Sequence, residues 1–354
     1  MNEISSKQLY IMIFFIPLVF KMSSLPALLY GEAGISAYAL IGIVVAVEFL
    51  QLAVVLLVTK EGGMDGIKEK YGNKVYCIIS IPFLFVIFIK MLVLTQELTN
   101  YLCSFFFYNI SETAITVVLI LAIAYLGTRG ARSIGRLYEI SIWLIPIIII
   151  FGLFFGEIEF EGNYLTPLFE DGAQTYFSAI GKFLIFTFDF SPLLFFKPKV
   201  KKITPIAVCM VLGTASVVGG YALLYSLYGN SSMHATFGFA RLAAFNTVIS
   251  EIGSLDWPSV LLWLITGTLS LALKINAVNR ISDGLKLKKA GTFIFCAAVL
   301  IVLITSVKTL SEAVKFVTNG IQYAVFAVEV ALPLVVLLLY AIKNGRRREY
   351  APQS

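Results

Sequence analysis

Ten apolar stretches joined by short polar connections leave this chain few ways to fold. They run at roughly 9–29, 35–59, 75–98, 112–127, 137–156, 176–196, 203–228, 257–279, 290–307 and 317–342. A helix needs about 20 mostly apolar residues to cross a bilayer. The fourth stretch is short, and the third continues past Glu97 toward Phe107. Of the 354 residues, 59% are hydrophobic and 14% charged. Soluble domains are about half apolar and about a quarter charged. The balance excludes a soluble globular domain and selects an all-α polytopic membrane protein. No polar segment is long enough for a separate aqueous domain, so residues 1–354 read as one membrane domain. The first stretch is too long for a signal-peptide core and lacks a small-residue cleavage site, so it reads as a retained span.

Basic residues orient the spans. With the N-terminus in the cytoplasm, inside segments hold 20 of the 27 Lys and Arg residues, and outside segments hold only Arg241, Lys308 and Lys315. Lys21, Lys90, Lys182 and Lys274 stay within spans. This alternation follows the positive-inside rule. Adding or removing one span destroys it downstream, so ten spans with both termini cytoplasmic are expected. The net charge of +6 then reports topology and not nucleic-acid binding. Two outer loops exceed what a connection needs. Residues 157–175 carry Glu157, Glu159, Glu161, Glu170 and Asp171 without a basic residue. Residues 230–256 include the stretch Phe237 to Ile252, where Phe239, Leu242, Ala243, Phe245 and Ile249 fall near helical spacing. That stretch reads as an amphipathic helix on the outer surface, against the alternative of a solvated loop.

Ten spans divide into five and five, and an odd number per half forces the halves into opposite orientation. This is the inverted-repeat plan of many secondary transporters. The repeats are expected at about 8–156 and 176–342, with spans one and six in correspondence. The first reads Phe20-Lys21-Met22-Ser23 with Pro26 behind; the sixth reads Phe188-Asp189-Phe190-Ser191 with Pro192 next. Proline removes a backbone donor, and serine competes for backbone groups. Helices 1 and 6 are therefore expected to be broken at these points. Hydrocarbon offers no partner for the freed N–H and C=O groups, so a small polar ligand or ion is one candidate partner. The start of each resumed half-helix suits a carboxylate.

A charge within a span is costly and marks a functional site by default. Lys21 and Asp189, opposite in sign at matching breaks, are expected to pair across the central site. Lys90 lies near mid-depth of the third span, with Gln96 and Glu97 further out. Lys182 either lines the outer side or snorkels, and Lys274 is close enough to its span's inner end to snorkel. Glu48 and Glu329 are expected to be protonated or paired with these lysines, and a titrating group among them permits proton coupling. Cys77, Cys103, Cys209 and Cys296 have no metal or redox spacing and read as small apolar residues. His234 is the only histidine and lies in an outer loop. No metal cluster, P-loop or nucleophile elbow appears, so neither an enzyme nor a cofactor is expected.

Several segments together resemble the spore germination permeases, the B-type membrane subunits of nutrient germinant receptors within the amino acid–polyamine–cation superfamily. They are Ile4-Ser5-Ser6-Lys7-Gln8-Leu9, Leu25-Pro26-Ala27-Leu28-Leu29 followed by Ala33-Gly34, and Arg129-Gly130-Ala131-Arg132. Further along come Arg136-Leu137-Tyr138-Glu139-Ile140 leading to Pro146, Leu165-Thr166-Pro167-Leu168-Phe169-Glu170-Asp171-Gly172, then Arg241, Asp256-Trp257 and Trp263. The resemblance is in their order and spacing and covers nearly the whole chain. It implies a LeuT-like fold of ten transmembrane helices arranged 5+5. It implies a multi-pass subunit of the spore inner membrane, acting with an A-type membrane subunit and a C-type lipoprotein on a small nutrient such as an amino acid. The ligand is then expected between Lys21, Met22, Ser23, Ser24 and Leu25 at one break and Thr187, Phe188, Asp189 and Ser191 at the other. Lys90, Thr266 and Thr268 are expected to line it from the third and eighth spans. Lys21 departs from the pattern, because relatives that sense simple amino acids more often have small residues, commonly glycine, near the first break. Such a lysine either binds a carboxylate directly or replaces a sodium ion with its own charge. Two other functions are consistent with the sequence: a proton-coupled amino-acid transporter without a part in germination, and an ion-channel subunit.

Overall fold

With so little water-facing surface, the backbone must satisfy its own polar groups, and helix is the local way to do so. The computed structural model describes residues 3–146, 165, 168–169, 172–198, 200, 202–239 and 257–349. In chain order the helices are α1 (Ser6–Val19), α2 (Leu25–Ala33), α3 (Ala37–Lys60), α4 (Gly63–Tyr71), α5 (Asn73–Phe105), α6 (Glu112–Thr128) and α7 (Ala131–Ser141). They continue as α8 (Ala173–Lys182), α9 (Thr204–Tyr228), α10 (Trp257–Gly284), α11 (Lys288–Thr305), α12 (Leu310–Thr318) and α13 (Ile321–Glu349). Two residues at each of two places, β1 (Glu3–Ile4) and β2 (Lys197–Pro198), pair in parallel.

Among the described residues, six helical runs are long and apolar enough to cross a membrane: Leu25–Lys60, Asn73–Phe105, Thr204–His234, Val260–Gly284, Lys288–Thr305 and Ile321–Lys343. Counting Glu112–Thr128 with Ala131–Pro146, which meet at a 114° bend, gives seven. Large apolar side chains face outward, with Leu50 69%, Ile78 70% and Val118 66% exposed. Lys21, Glu48, Lys90, Glu97, Asp189, Lys274 and Glu329 lie inside. That inversion of the soluble pattern suits a chain whose solvent is lipid.

The expected stretches and the observed helices differ in instructive places. The first stretch splits between α1 and α2. The third is continuous to Phe105, as its sequence suggested. The fifth opens earlier than residue 137: α7 starts at Ala131 as an amphipathic helix, burying Ile134, Gly135 and Tyr138 while Arg132 and Arg136 face out. Residues 147–156 of that stretch lie outside the described residues, as do most of the acidic loop from 157 and residues 240–252 of the amphipathic stretch. The short helices α4 and α12 fill segments expected to be connections. α12 starts at a capping box in which the Thr309 hydroxyl accepts from the Glu312 N–H, and the Glu312 carboxylate accepts from the Thr309 N–H. Such a cap ties up orphan donors at a helix start.

α10 runs through the middle of the bundle, packed against α5, α6 and α11. Gly127 of α6 packs against it. A Cβ there would lie 2.5 Å from Ile275 Cγ2 and 3.1 Å from the Ala272 carbonyl. Small residues allow this kind of close helix contact in membranes. Gly219, on α9, has nothing within 4 Å of such a Cβ. Gly127→Ala is expected to cost about 1–3 kcal/mol by overpacking, read as a lower thermal unfolding midpoint in detergent. Gly219→Ala is expected to leave the midpoint unchanged or raise it slightly, because alanine favours helix.

Candidate functional site

Helix α1 stops at Val19, and α2 begins at Leu25 with Pro26 in its first turn, where a missing N–H costs nothing. Residues 20–24 between them are not helical. Two tyrosines of α9 meet carbonyls at and beyond this gap: Tyr221 donates to the Lys21 carbonyl at 2.6 Å, and Tyr225 to the Pro26 carbonyl at 2.9 Å. A third partner is Glu97 of α5. Its Oε1 accepts from the Ser24 N–H at 3.1 Å and from the hydroxyls of Ser23 and Ser24.

The second interruption is longer than expected. α8 ends at Lys182, and the chain to Phe196 holds only two 3-10 turns, Leu184–Phe186 and Ser191–Phe195. No α-helix resumes directly after Asp189, so the idea of a half-helix dipole holding a carboxylate does not apply at this break. Phe188 lies between the turns with φ 62°, a conformation costly for a bulky side chain. Its N–H donates to Glu48 Oε1 at 2.6 Å, its carbonyl accepts from Gln51 Nε2 at 3.3 Å, and its ring packs on Phe326. Side chains of α3 thus hold the backbone of the second break from both sides.

Six charges meet around these breaks. Lys21 Nζ lies 2.8 Å from Glu48 Oε1. Lys90 Nζ lies 3.2 Å from Asp189 Oδ1 and 2.8 Å from Glu329 Oε2, and donates to the Thr187 carbonyl at 2.5 Å. Lys274 Nζ lies 3.1 Å from Asp189 Oδ1 and 3.4 Å from Ser270 Oγ. Ser191 Oγ donates to Glu329 Oε1 at 3.2 Å. All six charged side chains are at most 3% exposed. Because Glu48 holds both Lys21 and the Phe188 N–H, one carboxylate on α3 connects the two breaks.

The expected direct pairing of Lys21 with Asp189 is therefore corrected. Each meets a nearer partner on an uninterrupted helix: Glu48 of α3 for Lys21, and Lys90 of α5 and Lys274 of α10 for Asp189. Lys274 does not snorkel. α10 continues to Gly284, ten residues past it, or about 15 Å of helix at 1.5 Å per residue, which places it deep in the bundle. Lys182 is 42% exposed and pairs with Glu32, away from the cluster. Glu48 and Glu329 pair with buried lysines, one of the two outcomes expected for them.

Other expected site residues divide. Ser24 and Leu25 are buried at the first break, and Met22 and Ser23 are half-buried there. Thr187, Phe188, Asp189 and Ser191 are all buried at the second. Thr266 is buried, but its hydroxyl donates to the Leu262 carbonyl of its own helix at 2.5 Å. Thr268 is half-buried on α10. Neither threonine hydrogen-bonds to the clustered charges. Gln51 and Ser270 join the network without having been anticipated. Gln51 follows Glu48 by three positions on α3, and Ser270 precedes Lys274 by four on α10. Each of those spacings puts both side chains on one helix face. That spacing was the available signal.

Three groups meet the usual requirements of a ligand site in a membrane: two interrupted segments, backbone groups turned from helix to side chains, and paired ionisable residues. Comparison with known proteins gives the family. The family model for spore germination proteins matches residues 3–313. The chain belongs to the spore germination protein family. The match takes in both breaks and five of the six clustered charges, all but Glu329. One curated relative, spore germination protein B2 of Bacillus subtilis (strain 168), is 25% identical over 178 residues, which cover 49% of this chain and 46% of that protein. The chain thus aligns with about half the length of that relative. The connection between the breaks can be measured by mutant cycles. Removing one partner of a buried ion pair costs about 3–5 kcal/mol. Lys21→Ala combined with Glu48→Gln is expected to lose much less than the sum of the single changes, read as thermal midpoints in detergent. The cycle of Lys21→Ala with Asp189→Asn is expected to lie closer to additivity. Equal coupling in the two cycles contradicts the observed pairing.

Proposed function

We propose that this chain is the permease-like B-type subunit of a spore germinant receptor and binds a small zwitterionic nutrient, such as an amino acid, at the two breaks. The observation that carries the proposal is the sharing of Asp189 between two lysines beside both interruptions. The ligand-binding set comprises Lys21, Met22, Ser23, Ser24, Leu25, Lys90, Thr187, Phe188, Asp189 and Ser191, with Lys274 added and Thr266 and Thr268 as wall residues of α10. Its chemistry suits a ligand bearing both charges. The cluster is balanced, three lysines against three carboxylates, so a net anion or cation entering it leaves an uncompensated buried charge. A zwitterion leaves none. Its carboxylate takes the place of a protein carboxylate on Lys90 or Lys274, and its ammonium donates to the protein carboxylate so released. Exchange of this kind loosens contacts that tie α5, α10 and α13 to the second break. Ligand occupancy is thereby coupled to the packing of three helices, as a receptor requires.

In this reading the fold is ten spans in a 5+5 inverted repeat of the LeuT type, with repeats at about 8–156 and 176–342 and broken helices 1 and 6. The split of α1 from α2 and the interrupted segment 183–190 support it. Both termini lie in the cytoplasm, as the basic loops suggest, and the membrane is the spore inner membrane. An A-type membrane subunit and a C-type lipoprotein are the partners.

Equilibrium binding of a panel of labelled amino acids to the purified protein tests the proposal. Saturable binding of at least one is expected. Lys274→Met and Asp189→Asn are each expected to weaken it by about tenfold or more, the effect of losing one partner of a desolvated charge contact. Absence of binding across the panel, or unchanged affinity in both variants, contradicts it. Proton-dependent accumulation in proteoliposomes by this chain alone would identify a transporter and not a sensing subunit.

A further inference from the structure

We propose that Glu97, together with the first break and three aromatic rings, forms a second site, adjoining the nutrient set at Ser23 and Ser24, for a small monovalent cation, preferentially an ammonium ion or a primary ammonium head. The charge balance is the starting point. Lys21, Lys90 and Lys274 are matched by Glu48, Asp189 and Glu329. Glu97 stands outside this balance. It is 1% exposed, and no Lys or Arg ion pair reaches it among the described residues. A carboxylate taken so far from water requires a counter-charge or a proton.

Its two oxygens are treated differently. Oε1 accepts from the Ser23 hydroxyl, the Ser24 N–H and the Ser24 hydroxyl. Oε2 is equally buried and has no hydrogen-bond partner among the described residues. Beside Glu97 is a cavity of about 10 Å³ whose lining includes Phe20, Ser23, Tyr101, Trp263 and Gly267. That volume holds one water-sized occupant. A free carboxylate oxygen, a water-sized space and aromatic walls describe a cation site. Aromatic rings attract ammonium groups through their faces. A sodium or other hard metal ion instead prefers a full shell of oxygens, which walls so rich in carbon do not supply. Gly267 helps keep the space open: a Cβ there would lie 3.3 Å from Leu98 Cδ1 and 3.6 Å from Val19 Cγ1, both of which line the cavity.

The site rests on Glu97 and not on the Lys90–Asp189–Lys274 network. Failure of nutrient binding there leaves it standing, and its own failure leaves the nutrient reading standing. Trp263 provides a local probe, since the chain has only three tryptophans. In full-length protein carrying Trp143→Phe and Trp257→Phe, Trp263 fluorescence is titrated with ammonium chloride and with sodium chloride, choline chloride holding the ionic strength constant. A saturable change with ammonium, and a weaker one with sodium, is expected. Glu97→Gln keeps an acceptor for the serines but removes the charge, and it is expected to abolish the saturable change. Gly267→Ala, which leaves the carboxylate untouched, is expected to weaken it. No saturable change with either salt, the result for a carboxyl that is only protonated, overturns the proposal. So does an unchanged titration in Glu97→Gln. Saturation by sodium and not by ammonium overturns the ammonium preference.

Discussion

Asp189 shared between Lys90 and Lys274 is the contact on which the interior of this protein depends. Asp189 belongs to a segment that has given up helical hydrogen bonding, whereas its partners stand on the long helices α5 and α10. Together with the α3 contacts at Phe188, the pairing fixes this stretch of backbone to the two most buried of the membrane-span candidates. Lys90 extends the arrangement to Glu329 on α13 and to the Thr187 carbonyl. Glu48 extends it to α3 and, through Lys21, to the first break. An isolated charge in hydrocarbon is costly, and truncating a buried pair leaves one behind. The network therefore acts as a geometric constraint more than as a source of net stability.

The two breaks are handled by different chemistry. At the first, residues 20–24 are spanned by tyrosine hydroxyls and by one carboxylate oxygen, all hydrogen bonds to fixed partners. At the second, carbonyls and a carboxylate meet lysine ammonium groups and the Gln51 amide. Ammonium groups on long flexible stems can change partners without helix movement. In the proposed function the first break serves as a frame, and the second as the part that responds. Glu48, bonded to both, is the connection between them.

Much of this was legible in the residues. Long apolar runs mark α3, α9 and α11 nearly to their ends and locate α5, α10 and α13, which run further, and the serines with Pro26 mark the first break. α4 and α12 were not anticipated because short amphipathic helices in connecting segments carry too few residues for an apolar run. Lys274 lies deeper than its apolar stretch implies because α10 extends beyond that stretch through Arg280 and Asp283, and a hydropathy boundary is not a helix boundary. Lys21 and Asp189 were matched by symmetry, but partner choice is a matter of distance. No spacing in one chain reveals that α3 places Glu48 nearer to Lys21. Glu97 reads in the sequence only as lying further out than Lys90, since nothing in a sequence shows which oxygen of a carboxylate lacks a partner.

An experimental density map of the protein in a lipid nanodisc, detailed enough to show side chains, tests the central claim most directly. The account predicts continuous side-chain density from Lys90 to both Asp189 and Glu329, with Lys274 on Asp189 and Lys21 on Glu48. Density that places Asp189 away from both lysines, with unbroken helix through residues 183–190, would contradict it.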